Sequence, residues 1–214
     1  EQATTTLTDG QIVTVDGSGK TAAQLSFSKY VDEGATVSYS YTDPVPSSVA
    51  DKRYKFTGDD GPGTGYTVSG ANTITGNYVT QYLQTFTHSE LTSDATATDT
   101  VVTVDGSAKT YGDLPFTKWV DDGGSVTYIY APAVSSTVSG KRYSLTTPAP
   151  SPASPISVSS ANTITGTYKT QYYLTVNSAY DTPGGMGWYD ATTTAYATLT
   201  DGTVSGGAGI QYVF

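Results

Sequence analysis

Residues 12–41 read IVTVDGSGKTAAQLSFSKYVDEGATVSYSY, and residues 101–130 read VVTVDGSAKTYGDLPFTKWVDDGGSVTYIY. The two stretches match along their whole length, so that Val15 corresponds to Val104. Self-similarity at a fixed spacing is the signature of a repeat architecture. The sequence therefore predicts that one structural module occurs at least twice in the chain.

The repeat continues beyond these stretches and divides the chain into three parts. ANTITGNYVTQY at residues 71–82 matches ANTITGTYKTQY at residues 161–172. A repeat of about ninety residues is a usual size for a β-sandwich module. We predict a first β-sandwich repeat at residues 1–80, a second at residues 81–170 and a partial third β unit at residues 171–214. The third piece does not align with the other two beyond its opening strand.

Alternating apolar and polar residues predict β-strands in both repeats. Val37, Tyr39 and Tyr41 alternate with Thr and Ser, and the second repeat has the same pattern at residues 126–130. A period of two places the apolar side chains on one face of a sheet. Helix formers are scarce, and the pattern allows one helical turn near residues 111–114. The predicted fold is all-β, a tandem of Ig-like β-sandwich repeats with an incomplete third unit.

Asp-Gly pairs punctuate the predicted strands, and each supplies the positive φ angles that a type I′ hairpin turn needs. They stand at positions 9–10, 16–17, 105–106 and 201–202. By contrast, YVTQYLQTF and YKTQYYLTV contain neither Gly nor Pro, so each is predicted to run as one strand from its repeat into the next. The proline-rich residues 148–155 are predicted to form a loop or an edge segment.

The overall composition argues against several classes of partner. The formal net charge is −9 with a pI of about 4.3, which repels phosphate backbones and anionic headgroups. We therefore expect no nucleic-acid binding. No apolar run approaches the roughly 20 residues that a membrane span needs, so we expect no membrane insertion. The absence of cysteine excludes disulfides and zinc–thiolate sites. The chain starts at Glu1, which we interpret as the start of a mature product whose signal peptide has been removed.

Candidate catalytic groups are few and scattered. His88 is the only histidine, and it lies in a polar, turn-like stretch with no equivalent in the second repeat. The acidic pairs stand in predicted turns, at positions 32–33, 59–60 and 121–122. Paired carboxylates for sugar hydrolysis must flank a cleft, and a calcium loop has its own spacing, which is missing here. We predict no catalytic residues, no metal site and no cofactor, with calcium at an acidic turn as the alternative.

GGMGWYD, at residues 184–190, is the most unusual local motif. Glycines beside two aromatic residues fit a sugar-stacking platform formed by Trp188 and Tyr189. They fit equally well a tight turn that tucks Trp188 into a core. Both interpretations stay open at this point.

Residues 170–214 resemble β-repeat modules of archaeal and bacterial cell-surface proteins, of a divergent internalin B-repeat type. The matching features are the QYYLTV opening, the GxGWYD turn and the closing QYVF. The two longer repeats, with KRY and ITGxYxTQY, resemble Ig-like modules found beside them in large archaeal surface proteins. The resemblance implies a spacer, stalk, sheath, surface-layer (S-layer) or filament component, located extracellularly at the cell surface and without enzymatic activity.

One departure from this family pattern suggests how copies would join. In modules of this type, QYVF is followed by a further turn and strand, so the third unit is predicted to lack a strand. Either the chain is part of a longer protein, or a neighbouring copy supplies the strand by β-strand addition. The predicted donor is residues 1–8, and the subunit-contact candidates are Ala3, Thr5, Leu7, Tyr212 and Phe214. The leading hypothesis is a filament of identical copies; the alternative is an adhesin or stalk module that binds surface glycans through Trp188 and Tyr189.

Overall fold

The computed structural model describes residues 10–146, 150–179, 182–198 and 203–213. Within these residues the regular structure consists of strands and two short 3-10 turns, which confirms the predicted all-β class. The strands in the first part of the chain are β1 (Gln11–Val15), β2 (Ser18–Thr21), β3 (Thr36–Val37), β4 (Tyr39–Tyr41), β5 (Val45–Pro46), β6 (Lys52–Asp59), β7 (Tyr66–Thr67), β8 (Gly76–Ser89), β9 (Thr100–Val104) and β10 (Ser107–Thr110). They are followed by β11 (Phe116–Asp121), β12 (Ser125–Val126), β13 (Tyr128–Tyr130), β14 (Ala133–Ser135), β15 (Lys141–Leu145), β16 (Ile156–Ser157), β17 (Asn162–Leu174), β18 (Gly187–Asp190), β19 (Thr203–Gly207) and β20 (Ile210–Val213).

The predicted alternation of buried and exposed side chains is present, but the strand that carries it is divided. Val37 and Tyr39 are buried and Ser38 between them is exposed. Strand β3 pairs with β7, whereas β4 pairs with β1. The division falls at Ser38, whose N–H donates to Asp16 Oδ1 at 2.8 Å and whose carbonyl accepts the Asp16 N–H at 2.9 Å. Thr127 has the same bonds to the hairpin turn of the second repeat.

Two of the predicted Asp-Gly hairpin turns are confirmed. Asp16 and Gly17 have φ angles of 46° and 78°, and Asp105 and Gly106 have φ angles of 45° and 78°. Both central residues of a type I′ turn lie in this left-handed region, where Gly and Asp are tolerated. The turn predicted at positions 201–202, and position 9 of the first turn, lie outside the described residues.

The chain forms two compact units. Unit 1 comprises Glu1–Thr85, Thr117–Val126 and Pro155–Thr163. Its strands form the sheets β2-β1-β4, β3-β7 and β12-β16, together with a sheet in which β5, β6, β8 and β11 are successive neighbours. Residues that the sequence assigns to the second repeat therefore contribute to this unit.

Unit 2 comprises Phe86–Phe116, Thr127–Ser154 and Ile164–Phe214. It contains the sheet β10-β9-β13 and the hairpin β19-β20. Its largest sheet has β14, β15, β17 and β18 as successive neighbours.

Buried tyrosines and β-branched residues make up the cores. In unit 1, the half-buried Tyr78 packs against the core and donates its hydroxyl to the carbonyl of Thr42 at 2.9 Å, and burial raises the pKa of Tyr78 to about 12. In unit 2, Tyr168 donates to the carbonyl of Ala131 at 3.0 Å, and burial likewise raises its pKa. Each ring thus fills apolar space while its hydroxyl satisfies a backbone carbonyl. This explains how a sequence with few aliphatic residues builds a core.

The glycine of each ITGxY motif lies against a tyrosine ring. A Cβ on Gly76 would lie 2.4 Å from Tyr41 Cε1, and a Cβ on Gly166 would lie 2.3 Å from Tyr130 Cδ1. Real Cβ atoms do not approach a ring so closely, so the motif needs glycine for close packing.

Three further predictions concern elements that connect the sheets. The strands predicted to continue through the repeat boundaries are observed as the long strands β8 and β17, although β17 ends at Leu174, two residues before the end of the predicted stretch. The helical turn predicted near residues 111–114 is the 3-10 turn Tyr111–Asp113, and an equivalent turn occurs at Ala22–Gln24. The described part of the proline-rich stretch, residues 150–155, contains no strand, as predicted. No helical segment of the described residues has the length and hydrophobicity of a membrane span.

Candidate functional site

Four polar and aromatic side chains meet across β15, β17 and β18 in unit 2. Arg142 Nε donates to Gln171 Oε1 at 2.8 Å, and Gln171 Nε2 donates to Asp190 Oδ1 at 2.7 Å. The Arg142 guanidinium lies 4.3 Å from the centre of the Trp188 ring. The strand register aligns Arg142 with Gln171 and Gln171 with Asp190, so the three side chains form one row across the sheet. We call this set the second junction cluster.

The same arrangement occurs in unit 1, across β6, β8 and β11. Arg53 Nε donates to Gln81 Oε1 at 2.8 Å, and Gln81 Nε2 donates to Asp121 Oδ1 at 2.7 Å. The Arg53 guanidinium lies 4.4 Å from the centre of the Trp119 ring. We call these four residues the first junction cluster.

Each junction cluster lies where a third strand joins an antiparallel pair. In unit 1, β11 joins the pair β6-β8 by pairing with β8, and in unit 2, β18 joins the pair β15-β17 by pairing with β17. In unit 1 the backbone N–H of Asp122 donates to the carbonyl of Thr80 at 2.8 Å, and in unit 2 that of Ala191 donates to the carbonyl of Thr170 at 3.0 Å. The backbone join and the side-chain row are therefore repeated together. A guanidinium over a tryptophan face is favourable when it is partly removed from water, and both tryptophans are half-buried.

The second junction cluster also carries an ion pair. Lys169 Nζ lies 2.6 Å from Asp190 Oδ2. The Lys169 ammonium, followed by the Gln171 amide, holds the pKa of the Asp190 carboxyl below its usual range. In the first repeat Val79 stands at the position of Lys169, so the row of Arg, Gln, Trp and Asp does not depend on this ion pair.

The junction clusters correct one statement made from the sequence. Residues 171–214 were predicted to have no further alignment with the repeats, yet β18 takes the same place as β11. The signal was present as Trp-x-Asp, at residues 119–121 and again at residues 188–190, and as the Lys-Arg-Tyr that contains the arginine of each cluster. Strand pairing brings these short matches together, and their spacing along the chain differs between the two cases.

Trp188 and Tyr189, the candidate glycan-stacking residues, lie on β18. One face of the Trp188 ring is covered by Arg142, and Tyr173 contacts it edge-on with ring centres 5.2 Å apart. Tyr189 donates its hydroxyl to the carbonyl of Gly185 at 2.8 Å. Tyr189 also borders a shallow depression together with Tyr172 and Tyr173. Trp188 therefore belongs to the junction, and the tyrosines beside it are the aromatic groups that face the depression.

Of the predicted subunit-contact residues, only Tyr212 falls within the described chain. It lies on β20, where its register partner is Val204 on β19. Ala3, Thr5, Leu7 and Phe214 lie outside the described residues.

His88 does not lie in a turn, as the sequence suggested, but near the end of β8. Its ring is half-buried, 5.1 Å from that of Tyr111, and its Nδ1 has no hydrogen-bond partner among the described residues. Burial lowers the pKa of His88. The reason for the error is that a polar stretch continues a strand when its backbone groups are paired, which composition alone does not reveal.

The acidic pairs were predicted to stand in turns, but Asp59 and Asp121 are the last residues of β6 and β11, and they accept side-chain hydrogen bonds. Asp59 Oδ1 accepts from the Tyr39 hydroxyl at 3.0 Å, and Asp60 Oδ1 accepts from the Thr75 N–H at 2.6 Å. Asp121 accepts from Gln81 in the first junction cluster. The described residues contain no group of three or more His, Cys, Asp or Glu side chains arranged to hold a metal ion.

Asp94 is the most strongly coordinated carboxylate of the described chain. Lys141 Nζ lies 2.8 Å and Ser136 Oγ 2.6 Å from its Oδ2, and the hydroxyls of Thr92 and Tyr143 contact the same carboxylate. Lys141, followed by Ser136 and the other two hydroxyls, lowers the pKa of Asp94 far below its usual range. The group ties the start of the second repeat to β15, and all of its hydrogen-bonding capacity is directed to this structural role.

Comparison of the chain with family models, with curated proteins and with solved structures finds no match. The feature that occurs twice in the described structure is the junction cluster, which joins a further strand to a sheet.

Proposed function

We propose that this chain is a structural subunit of an extracellular filament, sheath or surface layer, assembled by β-strand pairing between copies. The observation that supports this proposal is the junction cluster, which occurs twice with the same four residue types and the same hydrogen bonds. A chain that joins equal modules repeatedly needs one join that can be reused.

The side chains of the junction clusters satisfy one another, which favours cohesion over catalysis. Each glutamine amide accepts from an arginine and donates to an aspartate, and each arginine also covers a tryptophan ring. A general acid, base or nucleophile must instead present a free group to a substrate. We therefore infer a non-catalytic role.

For the finer architecture we propose tandem Ig-like sandwich modules displayed at the cell surface. The resemblance of the repeats to surface-protein modules supports this assignment. The net charge of −9 also suits a secreted polymer, because like charges keep free subunits soluble before assembly.

Donor-strand complementation by residues 1–8 is one route by which copies would pair, but that segment lies outside the described residues. The matching part of the second repeat bonds within its own repeat. Ala95 bridges to Ser136, and the N–H of Thr96 donates to the carbonyl of Ser135 at 2.9 Å. The second repeat thus offers no precedent for a donor at this position.

Electron microscopy of the purified chain over a range of concentrations tests the proposed function. We expect linear polymers or sheets whose abundance rises with concentration, accompanied by fast-sedimenting species in analytical ultracentrifugation. A chain that stays folded and monomeric at the highest soluble concentration contradicts the proposal.

A second candidate function, glycan binding, is favoured by the aromatic depression of unit 2. Tyr172 and Tyr173 beside it are 52% and 44% exposed, as a sugar-stacking surface requires. Glycan-array binding that is lost in Tyr172→Ser, with the fold intact, would support an adhesin. Tyr196→Ser is the matched control, because Tyr196 is exposed and does not border the depression.

A further inference from the structure

Residues 27–30 and Asp32 of the first repeat are exposed and Val31 is half-buried, where the equivalent residues elsewhere in the chain are paired. Phe27 is 40% and Tyr30 is 106% exposed, and no residue of this segment belongs to a strand. The matching stretch of the second repeat is β11, in which Val120 is buried and Trp119 half-buried. The two stretches differ in what lies beside them, since β11 has the edge of β8 as its neighbour.

The sequence of this segment carries the features of the paired strands. Tyr30 corresponds to Trp119 and Asp32 to Asp121, the two residues that β11 contributes to the first junction cluster. The side chain of Asp32 is exposed, whereas Asp121 is bonded to Gln81. The segment therefore has the residues of a joining strand, and its partner strand is missing from the described chain.

Strand β20 is the matching partner. Its Gln211-Tyr212 repeats the Gln-Tyr of β8 and β17, and β19 pairs with it as β6 pairs with β8 and β15 with β17. In that register Ser205 aligns with Gln211, at the position that Arg53 and Arg142 occupy in the clusters. Beside β20 the described residues provide β19 alone, so its second edge is the one to which β11 and β18 dock in the other two cases.

We propose that β20 of one copy pairs with residues 29–32 of the next copy, which forms a third junction between molecules. The register of β17 with β18 gives the pairing: Gln211 opposite Asp32, Tyr212 opposite Val31 and Val213 opposite Tyr30. The two surfaces differ, so the contact is heterologous and propagates into a filament wherever it does not close into a ring. The inference rests on the proposed function, for which it names the joining strands.

The choice of a second copy as occupant follows from what the chain itself provides. Gln81 of β8 and Gln171 of β17 are already bonded to Asp121 and Asp190, so neither remains for Asp32. Among the described residues, the third Gln-Tyr strand and the joining segment that pairs with no strand are therefore complementary halves that a single type of chain carries. Where the internal junctions pair Arg with Trp, this junction pairs Ser205 with Tyr30, so both members of the pair differ together.

Cysteine cross-linking tests the register directly, because the native chain has no cysteine. Tyr30→Cys and Val213→Cys chains are mixed under mild oxidation. Val213 opposite Tyr30 corresponds to Tyr173 opposite Trp188, whose rings are in contact, so the two sulfurs come within bonding reach. Val31→Cys with Val213→Cys is the control, and we expect about tenfold less mixed dimer because a shift of one residue turns the side chain to the opposite face.

The outcomes separate this junction from the proposed function. A mixed disulfide dimer at 30 and 213 supports the junction. If the wild-type chain forms filaments, the 30–213 cross-link is absent, and Leu7→Cys instead cross-links to Val213→Cys, then the proposed junction is wrong and the filament proposal is retained. Absence of both the cross-link and polymers overturns both ideas. The cross-link in closed rings supports the junction and overturns the filament.

A second test introduces the Arg–Trp contact of the internal clusters into the proposed junction, where it should increase the affinity between copies. Ser205→Arg combined with Tyr30→Trp recreates the residues of the two internal clusters. We expect about tenfold tighter association of the double variant, equivalent to ~1.4 kcal/mol, with much smaller effects of each single change. Association of the double variant no tighter than the two single effects combined would overturn the assignment of these positions.

Discussion

Gly166 allows close packing against the Tyr130 ring, a role that the sequence indicates only by repeating the glycine in both ITGxY motifs. Gly166→Ala would push a methyl group into the Tyr130 ring, whose hydroxyl is held by the carbonyls of Thr87 and Ile164 and cannot easily move. We expect the free energy of unfolding in urea to fall by about 1–3 kcal/mol, the usual cost of overpacking. Gly112→Ala is the control, because a Cβ there meets open space. Equal stability of the two variants would contradict the close-packing role.

Asp94 predicts a pH dependence of stability. Because Lys141 and the surrounding hydroxyls lower its folded-state pKa below the ordinary 3.8, the folded chain holds this carboxylate ionised more strongly than the unfolded chain does. The stabilisation is fully present above pH 3.8 and is lost as the pH falls toward the folded-state pKa. Asp94→Asn should lower the thermal midpoint at neutral pH.

The matched measurement compares the acid limb of the stability curve. Asp94→Asn should flatten that limb, because it removes one of the groups that must be protonated on acidification. Glu90→Gln, at an exposed position, should leave it close to that of the wild type. An acid limb of Asp94→Asn as steep as that of the wild type would mean that other carboxylates dominate acid unfolding.

At the scale of elements, the strands were predictable and their partners were not. Alternation at residues 37–41 identifies the buried face correctly, because it depends on local sequence alone. The division at Ser38 depends on Asp16, which is 22 positions away, and no local pattern encodes it. For the same reason Arg142 could not be assigned to Trp188 from the sequence, since strand pairing alone makes them neighbours.

The same position in the two repeats should respond differently to the same substitution. Trp119→Ser removes a half-buried ring that Arg53 covers, and we expect roughly 1–3 kcal/mol of lost stability, less than the about 3–5 kcal/mol of a fully buried tryptophan. Tyr30→Ser removes an exposed ring, and its effect should stay within about 0.5 kcal/mol. The measurement is urea unfolding at a concentration where the chain is monomeric. A similar loss in both variants would show that residues 27–32 are packed in the free chain.

At the scale of the whole molecule, the same arrangement for joining strands is used twice. Both junction clusters combine a backbone ladder, which any strand could provide, with a side-chain row that fixes the register. Backbone pairing supplies the cohesion and the Arg, Gln, Trp and Asp row supplies the specificity. A chain that uses this join twice internally needs only one more complementary pair of strands to extend it between molecules.

Charge sets the conditions under which such an extension proceeds. Every copy carries a formal charge of −9, so approaching copies repel one another at low salt. Raising the salt from 0.01 M to 0.15 M shortens the Debye length from about 30 Å to about 8 Å and screens this repulsion. The proposed junction sets Asp32 opposite an uncharged glutamine and so contains no ion pair that salt would weaken. Light scattering at fixed chain concentration should therefore rise several-fold faster at the higher salt. Val31→Pro, which blocks strand pairing, should show no rise in light scattering at either salt concentration. Faster assembly of the wild-type chain at low salt would mean that opposite charges join the copies instead.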